Sequence, residues 1–227
     1  MSQRRVALIT GASRGIGAAT ARALGETHRV LLGGRDAAAL DALAGELPDA
    51  TAWPVDLTDP SAVARAVSGL GSLDVLVHSA GLCRIATVEH TSAQDWRDTL
   101  AVNLFAVVEL TRLLLPALRT AAGHVVLINS GQGKAAAPGW SAYAASKFAL
   151  RAFADSLRAE ETTLRVSSVY PGRTATEMQR ALRASEGAAY EPERYLAPES
   201  VAAAVRGAVL AGPDAEQTEI VLRPARR

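Results

Sequence analysis

The sequence predicts an α/β protein, a doubly wound parallel sheet of seven strands covered by helices on both faces. Three observations carry this. Short aliphatic or β-branched runs alternate along the chain with longer alanine-rich stretches. Most of the short runs are apolar without period-two alternation, as strands buried on both faces are. A glycine-rich turn follows the first run directly, where such sheets place their phosphate-binding loop. Strands alternating with helices imply parallel pairing through right-handed crossovers.

The elements follow in order. The strand runs are RVALIT (5–10), RVLLG (29–33), TAWPV (51–55), LDVLVH (73–78), HVVLIN (124–129), LRVSSVY (164–170) and TEIVL (218–222). TAWPV is the least certain strand because Pro54 lacks an N–H, unless it lies where that group is not needed. The intervening helices are expected over 15–26, 36–47, 60–70, 92–122, 141–161 and 198–212. Several open on Ser, Asp or Pro and close at or near Gly, which are start and stop signals. No repeat, low-complexity tract or linker interrupts residues 1–227, so one domain is expected.

Composition narrows the function classes. At 227 residues, with 49% hydrophobic and 21% charged, the chain can bury a substantial core. A net charge of +1 from 24 basic and 23 acidic residues gives no basic excess for nucleic acid. Cys83 is the only cysteine, which excludes an internal disulfide or a Cys-based zinc site and suits a reducing cytosol. His28, His78, His90 and His124 show no metal spacing, so no metal site is expected. The N-terminal apolar run ends at Gly11, too short for a signal peptide, and no apolar segment is expected to reach the length of a membrane span. A cytoplasmic protein without nucleic-acid or membrane partners is expected.

The turn after the first strand reads Thr10, Gly11, Ala12, Ser13, Arg14, Gly15, Ile16, Gly17. Strand, glycine-rich turn and helix together present backbone N–H groups and a helix dipole to a pyrophosphate; the plainer reading is a tight connection. At the end of the second strand Gly34 stands where an acid would grip the adenosine ribose, and Arg35 follows. With Arg14 it supplies two cations for a 2′-phosphate, so NADP(H) is the expected cofactor. Asp36 is read as the N-cap of the next helix; were it a ribose ligand, NAD(H) would be the cofactor instead.

These residues resemble the short-chain dehydrogenase/reductase family, in its compact single-domain branch. The family's T-G-x-x-x-G-x-G is met by Thr10 to Gly17 and its Y-x-x-x-K by Tyr143 and Lys147. Ser130 lies thirteen residues before Tyr143, at the position of the family's catalytic serine, and Asn103 matches its helix-borne asparagine. The resemblance implies a Rossmann-type fold and a cofactor site made by Gly11, Ser13, Arg14, Gly15, Ile16, Gly17, Arg35, Asp56, Leu57, Ala80 and Gly81. It extends that site to Tyr143, Lys147 and, in PGRTAT, to Pro171, Gly172, Thr174 and Thr176. The family's N-N-A-G reads His78, Ser79, Ala80, Gly81 here; Ser79 is expected to tie the fourth strand to its neighbours by a shorter bond.

The implied chemistry is hydride transfer to or from a carbonyl carbon, with Tyr143 exchanging the proton on oxygen. A tyrosine titrates near about 10, and the Lys147 ammonium with a cationic nicotinamide is expected to lower that value. Ser130 would donate to the carbonyl oxygen, and Asn103 would hold a water that reloads protons through Lys147. Each residue also has an ordinary reading: Tyr143 and Lys147 as solvated neighbours, Ser130 as a turn residue, Asn103 as a buried amide bracing a helix. Their joint order behind a dinucleotide loop favours catalysis.

Three stretches would shape the substrate: 81–88, 131–140 with Trp140, and 177–196. The last is a candidate lid with Met178, Leu182 and Tyr190 as apolar contacts; Arg180 and Arg183 are read as a solvated helix face in preference to contacts for an anionic substrate. The expected partner is a small to medium carbonyl or alcohol. The helices over 92–121 and 141–161 carry more apolar surface than one sheet face buries, and the resemblance implies a homodimer or homotetramer paired through them. The rival reading is a catalytically silent NADP(H)-binding sensor or regulatory protein; dehydration or epimerisation on the same fold is a third.

Overall fold

The first strand, β1 (Arg5–Thr10), is apolar from Val6 to Ile9 and lies inside the sheet between two neighbours. The computed structural model describes residues 4–212 and 214–225. After β1 come α1 (Gly15–Gly25), β2 (His28–Gly34), α2 (Ala37–Glu46), β3 (Ala50–Pro54), α3 (Pro60–Val67) and β4 (Val75–His78). The second half adds α4 (Ala93–Leu100), α5 (Ala106–Ala121), β5 (His124–Ile128), α6 (Ser141–Glu160), β6 (Arg165–Pro171), α7 (Glu177–Ser185), α8 (Pro198–Val209) and β7 (Glu219–Leu222). The sheet runs β3-β2-β1-β4-β5-β6-β7 with every pair parallel. This is the Rossmann-type doubly wound sheet that the sequence predicts.

Alternate residues of each strand feed two cores. Leu8, Leu76, Val125 and Leu127 pack with Val107, Leu110 and Leu114 of α5 and Leu150 and Leu157 of α6. Ala7, Ile9, Val75, Val77 and Val126 pack with Ala18 and Leu24 of α1, Leu40 and Leu43 of α2, and Val201 and Val205 of α8. Each buried Leu or Val side chain contributes about 1.5–3 kcal/mol by leaving water. Because α1 leaves β1 on one face and the helices after β4 lie on the other, a crevice opens between β1 and β4 at their C-terminal ends. Ligands of open α/β sheets bind at that point.

The strand expected over TAWPV forms: Pro54 lies in β3 at an edge of the sheet, where a missing N–H costs no ladder bond. The long helix differs from expectation, since residues 93–121 form not one α-helix but α4, a π turn over Ala101–Phe105, and α5. Pro116 lies within α5 without breaking it. An 18-residue window of this stretch has mean hydropathy 1.7, so the stretch is by length and composition able to cross a membrane. The expectation that no segment reaches that length is corrected; its apolar side, including Leu110, Leu114 and Leu118, lies in the core beside the sheet. Finally, α7 stands within 177–196, in keeping with the helix face expected around Arg180 and Arg183. Its helical pattern is thin because Leu182 and Gln179 are its only buried residues.

Candidate active site

The turn between β1 and α1 is shaped by its glycines. Gly11 and Gly15 have φ of +66° and +58°, the left-handed region that side chains avoid. A Cβ on Gly11 would lie 2.8 Å from the Ala80 backbone, and one on Gly17 would lie 2.1 Å from the Gly11 carbonyl oxygen. The loop therefore lies against the segment after β4 with no room for a side chain. At the start of α1, Arg14 gives no side-chain cap and the first turn holds no acid. The helix N-terminus is left to an external anion. Beside it opens a cleft of about 380 Å³, lined by Ser13, Arg14, Gly15, Thr176, Glu177 and Arg180 among others. These features fit a dinucleotide.

Past Gly34, Arg35 is exposed and enters no ion pair among the described residues. Arg14 is also exposed, but its Nη1 lies 2.9 Å from Oε2 of Glu177. Asp36 caps α2, its Oδ1 accepting from the Ala39 N–H at 3.1 Å. Asp56 follows β3 directly after Val55; its Oδ1 accepts from the N–H and hydroxyl of Thr58 at 2.9 and 2.7 Å. Those two bonds hold its carboxyl below the usual range. Leu57 packs half-buried against the core.

Thr10 fastens β1 to β4. Its hydroxyl donates to the Val77 carbonyl at 3.4 Å and accepts from the N–H groups of Ser79 and Ala80 at 3.1 and 3.2 Å. The tie expected of the Ser79 side chain is thus made by its main chain, since Thr10 offers the acceptor. His78 is buried behind the site. The hydroxyl of Thr111 donates to the Val107 carbonyl, so His78 Nε2 donates to Thr111 at 2.9 Å. Burial, with Lys147 nearby, lowers His78 to about 3 and keeps it neutral.

Three of the four proposed catalytic residues, Ser130, Tyr143 and Lys147, come together, and Asn103 reaches their helix through Ser146. Tyr143 and Lys147 both point inward from α6 and are buried, which removes their reading as solvated neighbours. Lys147 Nζ lies 5.7 Å from the centre of the Tyr143 ring and donates to the Ile128 carbonyl at 2.9 Å. Burial lowers Lys147 to about 8. Burial raises Tyr143 above its ordinary value, while the neighbouring Ser130 hydroxyl pulls the other way. The lowering expected from Lys147 is not found; desolvation dominates, and the phenol is held protonated. Ser130 caps the short 3-10 turn Gly131–Gly133, its Oγ accepting from the Gln132 N–H at 3.2 Å.

Asn103 sits in the π turn, fully buried. Its Oδ1 accepts from Leu82 N and its Nδ2 donates to Leu82 O, each at 2.8 Å, and to Ser146 Oγ at 3.0 Å. The side chain is wholly engaged as a brace. Gly81 meets the same amide, with a Cβ there 3.5 Å from Asn103 Oδ1.

One contributor escaped the sequence reading. Asn129 is buried before Ser130; its Oδ1 accepts from the Ser130 N–H at 2.8 Å and its Nδ2 donates to the Lys147 carbonyl at 3.1 Å. It registers the serine turn on α6. Cys83 is half-buried and lies near both Tyr143 and Lys147. Burial raises its thiol to about 12, so it stays neutral. Trp140 lies edge-on to Tyr143 with ring centres 5.8 Å apart.

Beyond β6, whose last residue is Pro171, the Gly172 N–H donates to Leu222 O at 2.8 Å and Thr174 Oγ1 donates to Gly172 O at 3.0 Å. Thr176 caps α7, accepting from the Gln179 N–H at 3.2 Å. The base of the 177–196 segment is closed by a parallel bridge between Thr174 and Leu196. Of the lid residues, Leu182 is buried, Met178 is exposed, and Arg180 lies 4.6 Å from the Tyr190 ring centre. Arg183 and Arg173 both pair with Glu186, which leaves neither arginine unopposed for a substrate anion. No group of three or more His, Cys, Asp or Glu residues suited to a metal occurs among the described residues.

Comparison with known proteins places this geometry. The family described as short chain dehydrogenase matches residues 5–187. The bovine (Bos taurus) dehydrogenase/reductase SDR family member 7B is 38% identical over 203 residues, covering 82% of this chain and 62% of its own length. The chain thus spans about three-fifths of that relative. An alcohol dehydrogenase from the archaeon Thermococcus sibiricus, solved with 5-hydroxy-NADP, superposes with a TM-score of 0.89 at 28% identity, covering 98% of each chain. A metagenomic short-chain oxidoreductase in complex with NADP superposes with a TM-score of 0.83 at 31% identity, covering 99% of each.

Proposed function

The chain belongs to the short-chain dehydrogenase/reductase family, and from that premise we propose that it is an oxidoreductase moving hydride between NADP(H) and a small to medium carbonyl or alcohol. The observation that carries this is the cluster of half-buried Ser130 with buried Tyr143 and Lys147 at the C-terminal ends of β4 and β5, beside a glycine loop fitted to a dinucleotide. When bound, the nicotinamide supplies or accepts the hydride at the substrate carbon.

The residues handle the oxygen and its proton. Ser130 donates to the carbonyl oxygen and sets it beside Tyr143. The raised phenol keeps its proton at neutral pH, as a donor in the reducing direction must. Lys147, lowered to about 8, still carries most of its charge at pH 7 and stabilises phenolate as the proton leaves. Its remaining donors suit ribose hydroxyls of the cofactor. In oxidation the same phenolate takes the alcohol proton.

Arg35 in no ion pair among the described residues, Arg14 at the loop and Asp36 spent as a cap all favour a 2′-phosphate over bare ribose hydroxyls. The two solved neighbours carrying NADP-type ligands support the same choice. Phe105 and Phe148, 61% and 42% exposed on the π turn and α6, support a homo-oligomer formed through those helices. We place the activity in the cytoplasm, where the lone thiol Cys83 stays reduced.

A panel of carbonyl compounds followed by NADPH absorbance tests the reading. Tyr143→Phe should retain NADPH binding and lose at least about 100-fold in turnover. Undiminished turnover in that variant would sink the mechanism, and tighter NADH than NADPH binding would sink the cofactor preference.

A further inference from the structure

We infer that Glu177 sets how strongly the cleft discriminates a nucleotide bearing a 2′-phosphate from one without it. The inference rests on the reading of this cleft as a dinucleotide site. Glu177 is the first residue of α7, next to the cap Thr176, and its carboxylate lies 2.9 Å from Arg14 of the glycine loop. A Cβ on Gly15 would approach Thr176 Cγ2 to 3.2 Å, so the two loops are already in contact. The acid and the arginine are held opposite one another by their backbones.

The other cations around the cleft are committed elsewhere. Arg22 pairs with Glu46 at 2.8 Å, and Arg180 stacks on Tyr190. Glu199 also lines the cleft, but it makes no ion pair with Arg14 among the described residues. Arg14 is thus the one loop cation, and Glu177 is the acid that opposes it. Their side chains are 72% and 67% exposed, so water screens the pair and it exchanges readily. A phosphomonoester brings close to two negative charges and three strong acceptor oxygens. It either displaces Glu177 from Arg14 or binds with that carboxylate one guanidinium away. In both cases Glu177 opposes the phosphate. A nucleotide with plain ribose hydroxyls leaves the Arg14–Glu177 pair intact and feels no such opposition. The residue therefore narrows the preference for the phosphorylated cofactor and links the occupant of Arg14 to the position of α7.

The test measures dissociation constants of NADPH and NADH by tryptophan fluorescence, using the intact chain as wild type, Glu177→Gln, Arg14→Gln and the double variant. Unchanged thermal midpoints verify that each variant is folded. Glu177→Gln should tighten NADPH about three- to fivefold and leave NADH within twofold, because both cofactors share the pyrophosphate. Arg14→Gln should weaken NADPH about tenfold or more, and adding Glu177→Gln to it should then have no further effect. An unchanged NADPH constant in Glu177→Gln, or equal shifts for both cofactors, overturns the inference while leaving the dinucleotide site standing. Wild type that binds neither cofactor, or Arg14→Gln that binds NADPH as well as wild type, overturns the underlying reading and the inference with it.

Discussion

Asn103 pairs with the main chain of Leu82 as a strand would, accepting from its N–H and donating to its carbonyl at 2.8 Å each. The same amide reaches Ser146, whose hydroxyl donates to the Tyr143 carbonyl at 2.7 Å. One buried node thus joins the wall after β4, the π turn and the helix that carries Tyr143, the proposed proton donor. Asn103→Ala strips Leu82 of both partners in a dry environment. It should cost about 2–4 kcal/mol, since each orphaned buried group costs about 1–3 kcal/mol. Urea denaturation reads this directly, and a loss below about 1 kcal/mol would contradict the bracing role.

Cys83 lies beside Tyr143 and Lys147, yet burial lifts its thiol to about 12. The thiolate is the reactive form. Alkylation by iodoacetamide at pH 8 should therefore run at least about tenfold slower than for a free cysteine, as followed by intact-mass spectrometry. Labelling at the rate of a free thiol would show that burial does not hold it neutral.

His78 and His124 are both held neutral, at about 3, chiefly by burial, and His28 is lowered for the same reason. Unfolded histidines titrate near about 6.5, so below that pH the unfolded chain binds protons that the native chain refuses. Stability is full above about pH 6.5 and falls as the pH drops toward 3, by about 1.4 kcal/mol per unit for each strongly lowered histidine. Carboxylates held low by their partners, such as Asp56 and Glu186, contribute only below about pH 4.5. Urea titrations at pH 7, 6 and 5 isolate the histidine window. His124→Gln, which keeps a donor for Ser167, should remove close to half of the slope, and a flat profile in wild type would refute the account.

Phe105 and Phe148 present aromatic rings to solvent on the π turn and α6. If these faces pair in solution, light scattering gives at least twice the chain mass of 23.6 kDa. Phe105→Glu with Phe148→Glu should shift the protein to monomer, at a dimer dissociation constant raised about 100-fold or more. A wild-type monomer at tens of micromolar would remove the proposal.

Nearly all of the fold was readable from apolar runs, because strands covered on both faces cannot hide. Pro54 was ambiguous only because a proline is tolerated at an edge, and edge position is a property of the assembled sheet. The π turn at 101–105 and the intact helix through Pro116 were not readable, since packing against two cores decides both. In the site, the resemblance to the family's motifs located Ser130, Tyr143 and Lys147. It could not show that desolvation raises Tyr143, that Asn103 spends its side chain on Leu82, or that Asn129 binds the serine turn to Lys147. Each of these depends on a contact between residues 18 to 21 apart, or on depth below the surface. The pairing of Arg14 with Glu177 joins residues still more distant and left no local signature.

The pairing of β1 with β4, Ala7–Ile9 against Val75–Val77, has a consequence for the order in which the chain is made. Among the strands of this sheet, β1 can dock during synthesis at once only with β2, and its other flank stays open until residue 78 has emerged. Parallel partners that remote raise contact order and slow folding. The nucleotide loop, whose Gly11 must lie against Ala80, is thus completed well before Tyr143 is synthesised. During that interval the nascent chain exposes an apolar strand edge, the kind of surface that recruits chaperones.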